Sequence, residues 1–160
     1  MDHTILDRLE AQHREAEQIL HRLSTAQTAP QQQPLVEKLR NTMTEHMRIE
    51  ESDVYPELER FAIDLGVEAE IEHDLTRKGL QQLSDMVGRP GFGALVAMVH
   101  AGIGHHVEEE EKEIFPRLRD APAAAEDVRG GDLRNPMRKL RSAKSNAELV
   151  TGLPHNSTIA

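Results

Sequence analysis

The chain has 160 residues, enough for one domain with a real core but too few for two comfortable ones, and a formal net charge of −9. It has no cysteine, which excludes disulfides, iron–sulfur clusters and thiol catalysis and leaves His and carboxylates as ligands for iron, manganese or zinc. Residues 1–120 carry 13 Lys+Arg against 24 Asp+Glu, an acidic body that argues against nucleic acid as a partner.

The apolar residues are mostly Leu, Ile, Val, Met and Ala, with one Tyr and three Phe against nine His. Straight-chain side chains lose little rotamer freedom in a helix, so an all-α fold is expected. The first helix runs from about Thr4 to Ser24, with Leu6, Leu9, His13, Ala16, Leu20 and Leu23 stepping by three and four along one seam. A breaker-rich loop, Thr-Ala-Pro-Gln-Gln-Gln-Pro, follows. The second helix runs from about Pro34 to Pro56, with Val36, Leu39, Met43, His46, Glu50 and Val54 on one face. A short helical stretch from Glu57 to Asp64 leads to Gly66. The third helix covers Val67 to Val87, with Ala69, His73, Thr76, Leu80 and Leu83 in line, and Gly88, Pro90 and Gly91 close it. The fourth covers Phe92 to Asp120, with Val96, Val99, Ile103, His106 and Glu110 in line.

Short connections between helices of similar length predict an up-down-up-down antiparallel four-helix bundle over residues 1–120. Residues 121–160 read as a mobile tail, with a short basic helix over Met137–Val150. The first residues lack the layout of a signal peptide, and no apolar run approaches the ~20 residues that span a membrane. A cytoplasmic protein without a membrane partner is expected. The oligomeric state is left open.

An internal repeat organises the chemistry. The block from His46 to Leu58 aligns without a gap on the block from His106 to Leu118, pairing Glu50 with Glu110, Glu51 with Glu111, and Tyr55-Pro56 with Phe115-Pro116. The other two helices each carry a lone seam histidine, His13 and His73. His and Glu four apart leave one face of a helix together, so an imidazole and a carboxylate can reach a common ion. A buried Glu facing buried His needs a counter-charge, which metal cations supply. Helix lengths put all four His in one layer. Six donors from four helices suit two metals, with both carboxylates bridging and positions left for an oxo or hydroxo bridge and an exogenous small molecule. The metal set is therefore His13, His46, Glu50, His73, His106 and Glu110.

Other residues compete for attention. His105 makes a weaker seam with Leu95, Met98 and Gly102, and the repeat favours His106, leaving His105 at the edge of the site. Glu108, Glu109 and Glu111 read as a solvated face, and His3, His21, His100 and His155 as exposed. Tyr55 either packs where the helix bends or brings its hydroxyl to the metals, and Arg77 reads as a rim residue.

At these residues the sequence resembles the hemerythrin family, in its HHE cation-binding branch, over about residues 3–120. The resemblance implies a non-haem di-iron centre with Glu50 and Glu110 bridging and the four His terminal. The oxygen-carrying members place a second His four residues after the helix-three His, where this chain has Arg77, and an Asp five residues after the His of helix four, where this chain has HxxxE. The resemblance thus implies an iron one ligand short unless Tyr55 completes it. That favours a site that acts on or senses peroxide, oxygen or nitric oxide over reversible oxygen carriage, with a catalase-like role in oxidative stress as one form. No catalytic residue is named. The alternative is an iron buffer or iron-responsive sensor without turnover.

Overall fold

The computed structural model describes residues 3–60 and 62–120, all of them in helices or the short links between them. The expected tail, its basic helix, His155 and the side chain of His3 lie outside the described residues. Among the described residues there is no strand, and no helix is long and apolar enough to cross a membrane.

The first helix, α1, spans His3–Thr25, and its six predicted seam positions are all buried. Helix α2 spans Ala29–Ile49 and begins five residues before Pro34, inside the stretch expected to be a loop. The Gln31 side-chain carbonyl accepts from the Gln27 and Thr28 amides at 3.0 and 3.2 Å, capping the first turn. Pro30 occupies that turn, where its missing N–H would have no helical partner. Pro34 sits deeper but on the exposed side, where water can serve the freed carbonyl.

Helix α2 passes directly into a five-residue π-helical turn, Glu50–Val54, and then into α3, Tyr55–Leu58. The Tyr55 amide bonds the carbonyl of Glu50, five residues back. Pro56 cannot donate to a carbonyl four residues back, and the widened turn absorbs that defect without ending the helix. Helix α4 spans Ile63–Met86, so Gly66 lies buried inside the helix. A Cβ there would meet only the Glu59 side chain, at an ordinary contact distance of 3.6 Å, so neither packing nor a turn requires the glycine.

The α4–α5 link does need its glycines, because Gly88 and Gly91 have φ of 72° and 91°. Helix α5 spans Phe92–Glu109, a second π turn covers Glu110–Ile114, and α6 covers Phe115–Asp120. Both halves of the repeat therefore carry the same widened turn at the same place.

Helix α1 packs on α2 and α5, and α4 packs on α5 and α2, the closed ring of neighbours of a four-helix bundle. Two apolar clusters fill it. One holds Leu20, Leu23, Leu39, Met43, Leu83 and Ile103, and the other holds Leu6, Leu9, Val54, Leu58, Ile114 and Phe115. Each buried Leu or Phe stabilises the fold by roughly 1.5–3 kcal/mol. Buried Gln32 ties the two links at one end together. Its amide donates to the Ala26 carbonyl at 3.0 Å and its carbonyl accepts from Gly88 N–H at 2.8 Å.

Candidate metal centre

Between the two apolar clusters lies a polar layer. His13, His46, Glu50, His73, His106 and Glu110 are each no more than 2 % exposed. The bundle brings together the four residues singled out by the repeat and the two lone seam histidines, His13 and His73.

The donors face inward in two overlapping groups. His13 Nε2 lies 3.3 Å from His46 Nε2 and 3.1 Å from Glu110 Oε2, and His46 Nε2 lies 2.9 Å from Glu50 Oε1. On the other side, His73 Nε2 lies 3.1 Å from Glu50 Oε2, with His106 Nε2 at 3.9 Å from the same oxygen. Glu110 Oε2 reaches His106 Nε2 at 3.5 Å. Ligand atoms of His13, His46, Glu50 and Glu110 lie within 4.8 Å of one another, as do those of Glu50, His73 and His106. Each group is wide enough for one cation, and Glu50 belongs to both.

Both π turns serve this layer. In a regular helix residues five apart diverge, whereas across a π turn they return to one face, so Tyr55 joins Glu50 and Phe115 joins Glu110. The Tyr55 hydroxyl lies 2.8 Å from His73 Nε2, while Phe115 stacks on the His13 ring at 5.8 Å between centroids.

An outer ring holds the imidazoles. His13 Nδ1 donates to Glu111, His73 Nδ1 to Glu51 and His106 Nδ1 to Glu72, each at 2.9 Å. A proton kept on Nδ1 leaves the Nε2 lone pair pointing inward, the tautomer a metal requires. Arg14 pairs with Glu111 and Arg77 with Glu51, whereas exposed His105 comes within 3.5 Å of Glu72. Burial pushes these three carboxyls up, but the partner histidines, with Arg77 at Glu51 and Arg14 at Glu111, bring each below its usual range.

Two expectations need correction here. Glu111 is half-buried and holds His13, so it does not belong to a solvated face, because the π turn rotates it back toward α1. Glu109, placed on the same solvated face, and His100, expected exposed, are likewise half-buried. Glu51, Glu72 and Glu111 were not assigned to the outer ring from sequence. The paired Glu-Glu of both blocks was the available signal for two of them; Glu72, directly before His73, had none.

The charges inside the layer are uneven. Burial pushes Glu50 up, but the facing imidazoles of His46, His106 and His73 hold it well below the usual carboxylate range. Glu110, buried beside the Glu50 charge, is pushed up to about 7. Burial would lower His106, yet Glu110, Glu50 and Glu72 raise it well above its ordinary value. Burial and the surrounding carboxylates raise the Tyr55 hydroxyl.

Both oxygens of Glu50, Oε1 of Glu110 and Nε2 of His106 are buried without a hydrogen-bond partner. Orphaned buried acceptors of this kind are costly, and a cation satisfies them together. The family model for the hemerythrin HHE cation-binding domain matches residues 4–118. The chain belongs to that family. Comparison with curated proteins and with solved structures returns no match. The hemerythrin match spans every residue of the polar layer and ends within α6.

Proposed function

We propose that this hemerythrin-domain protein holds two iron ions, His13 and His46 serving one and His73 and His106 the other, with Glu50 and Glu110 shared. We further propose that the centre acts on or reports small oxygen and nitrogen species, peroxide first, on an up-down-up-down antiparallel bundle. The observation that carries the reading is the set of buried, orphaned acceptors on Glu50, Glu110 and His106 at the crossing of two donor groups. Imidazole and carboxylate donors without thiolates suit iron.

Bound iron would supply a redox couple and room for a small ligand. The rest falls to the chain. Glu51, Glu72 and Glu111 keep three imidazoles in the inward-facing tautomer, and the apolar clusters above and below keep bulk water out. Tyr55 offers an O–H beside His73, in the half where Arg77 replaces a further imidazole. It can hold a proton there, or serve as the missing donor.

The iron-loaded protein should consume hydrogen peroxide with release of oxygen, or change its absorption spectrum on addition of peroxide or nitric oxide. A loaded protein inert to both would reject the reading. A second reading, an iron buffer or sensor without turnover, is favoured by one observation. Two carboxylates face each other in the buried layer, one of them pushed up to about 7, so loss of metal weakens the fold. Metal-dependent helix content without peroxide consumption would select it.

A further inference from the structure

The six inward donors are sealed from solvent, so a small molecule needs a way in. A cavity of about 290 Å³ lies between α1 and α5; buried His13, Leu20 and Ile103 and half-buried Val107 form its inner wall, and exposed Gly104 lies at its mouth. Phe115, from the cluster of Leu6 and Leu9, covers one face of His13, whereas Leu20, Ile103 and Val107 belong to or pack against the cluster of Leu23 and Leu39. The cavity thus approaches His13 from the side Phe115 leaves open. A larger groove between α4 and α5 touches Glu72 and His105 but none of the six.

We propose that the α1–α5 cavity is the entry route by which small uncharged molecules reach the centre, with the Arg14–Glu111 pair as its gate. This rests on the reading of the centre as one that meets small molecules. The rim cations are already neutralised, Arg14 by Glu111 and Lys112 by Glu108, and the inner wall is largely apolar. Such a passage favours a neutral diatomic or a peroxide over an anion, whose desolvation no free charge would offset. Glu111 bonds both His13 Nδ1 and the rim residue Arg14, so opening the gate is coupled to the orientation of a centre imidazole.

Two glycines on α5 give a matched test. A Cβ at Gly104 or at Gly102 meets nothing within 4 Å, but Gly104 lines the α1–α5 cavity and Gly102 the α4–α5 groove. Leu is the better helix former in either place. With nitric oxide as probe and the ferrous iron-loaded protein in stopped flow, Gly104→Leu should slow association and dissociation together by tenfold or more, leaving Kd unchanged. Gly102→Leu should change neither rate. In the metal-free protein, xenon should shift the methyl resonances of Leu20 and Val107, which line this cavity and not the α4–α5 groove, and Gly104→Leu should abolish those shifts.

Equal rates in the two variants, or slowing by Gly102→Leu alone, would overturn the route. So would absence of the xenon shifts in the unsubstituted protein. Absence of any nitrosyl signal in the unsubstituted loaded protein would instead count against the reading of the centre, since xenon reports on the cavity by itself.

Discussion

The His13–His46 half of the polar layer and the His73–His106 half are built from the same repeat, yet they are finished differently. In the first, Phe115 stacks on His13, one cavity reaches the imidazole, and His46 Nδ1 is buried without a partner. In the second, Tyr55 stands in the slot of Phe115 and brings a hydroxyl to His73, and both imidazoles are held by outer carboxylates. A shared plan places the donors at one height, and single substitutions within that plan decide which half is open and which is filled. The cavity beside His13 and the Tyr55 hydroxyl beside His73 are two consequences of one near-symmetric frame.

The outer carboxylates give the strongest way to sharpen this contrast. Glu51→Ala and Glu111→Ala each free one imidazole, in opposite halves, and each should weaken metal binding by about 10–100-fold. Competition against a chelator of known affinity reads the loss. Loss of one metal and retention of the other would assign each carboxylate to its own half, while no loss in either would break the account of the outer ring.

Charge inside the layer comes next. Glu110 is raised from 4.5 to about 7 in the fold, first by burial and then by Glu50. A carboxyl raised in the native state binds more protons there than when unfolded, so the metal-free protein loses stability as pH rises from about 4.5 through 7. Glu110→Gln should remove that loss. The metal-free variant should be more stable than the metal-free parent by about 1–2 kcal/mol at pH 8, with the gap closing toward pH 5. Denaturant melts at the two pH values check the sign, and a variant less stable at pH 8 would contradict the repulsion between the two carboxylates.

The smallest expected effect concerns the Tyr55–Phe115 difference between the two blocks of the repeat. Tyr55→Phe removes only the hydroxyl that meets His73, and should cost the metal-free protein about 1 kcal/mol, the net worth of one hydrogen bond. In the loaded protein it should alter the absorption of one half of the centre. A change in neither would make Tyr55 a packing residue equivalent to Phe115.

Much of this frame was legible beforehand because it depends on periodicity. The steps from Leu6 to Leu23 and from Val36 to Val54 run at helical spacing, and the ungapped alignment of His46 with His106 chose between His106 and His105. His106 is buried in the layer, and the His105 side chain is 69 % exposed. What escaped the sequence lies where local rules compete with tertiary context. Pro30 and Pro34 read as a loop because their cost is local, whereas capping by Gln31 and the Gln32 clamp to Gly88 are supplied by the fold. Pro56 reads as a helix end because a π turn leaves no mark on seam spacing until the chain is seen to continue. That same turn rotates Glu111 and Tyr55 inward, so residues placed on an outer face or left ambiguous became contacts of the centre.

The central claim is that six side chains form one centre for two iron ions, sharing Glu50. Anaerobic ferrous titration of the metal-free protein, followed by metal analysis after desalting, tests it most directly. The account predicts two irons per chain for the parent and none retained by Glu50→Ala, whose carboxylate belongs to both donor groups. One iron per chain in the parent, or two retained after Glu50→Ala, would contradict it.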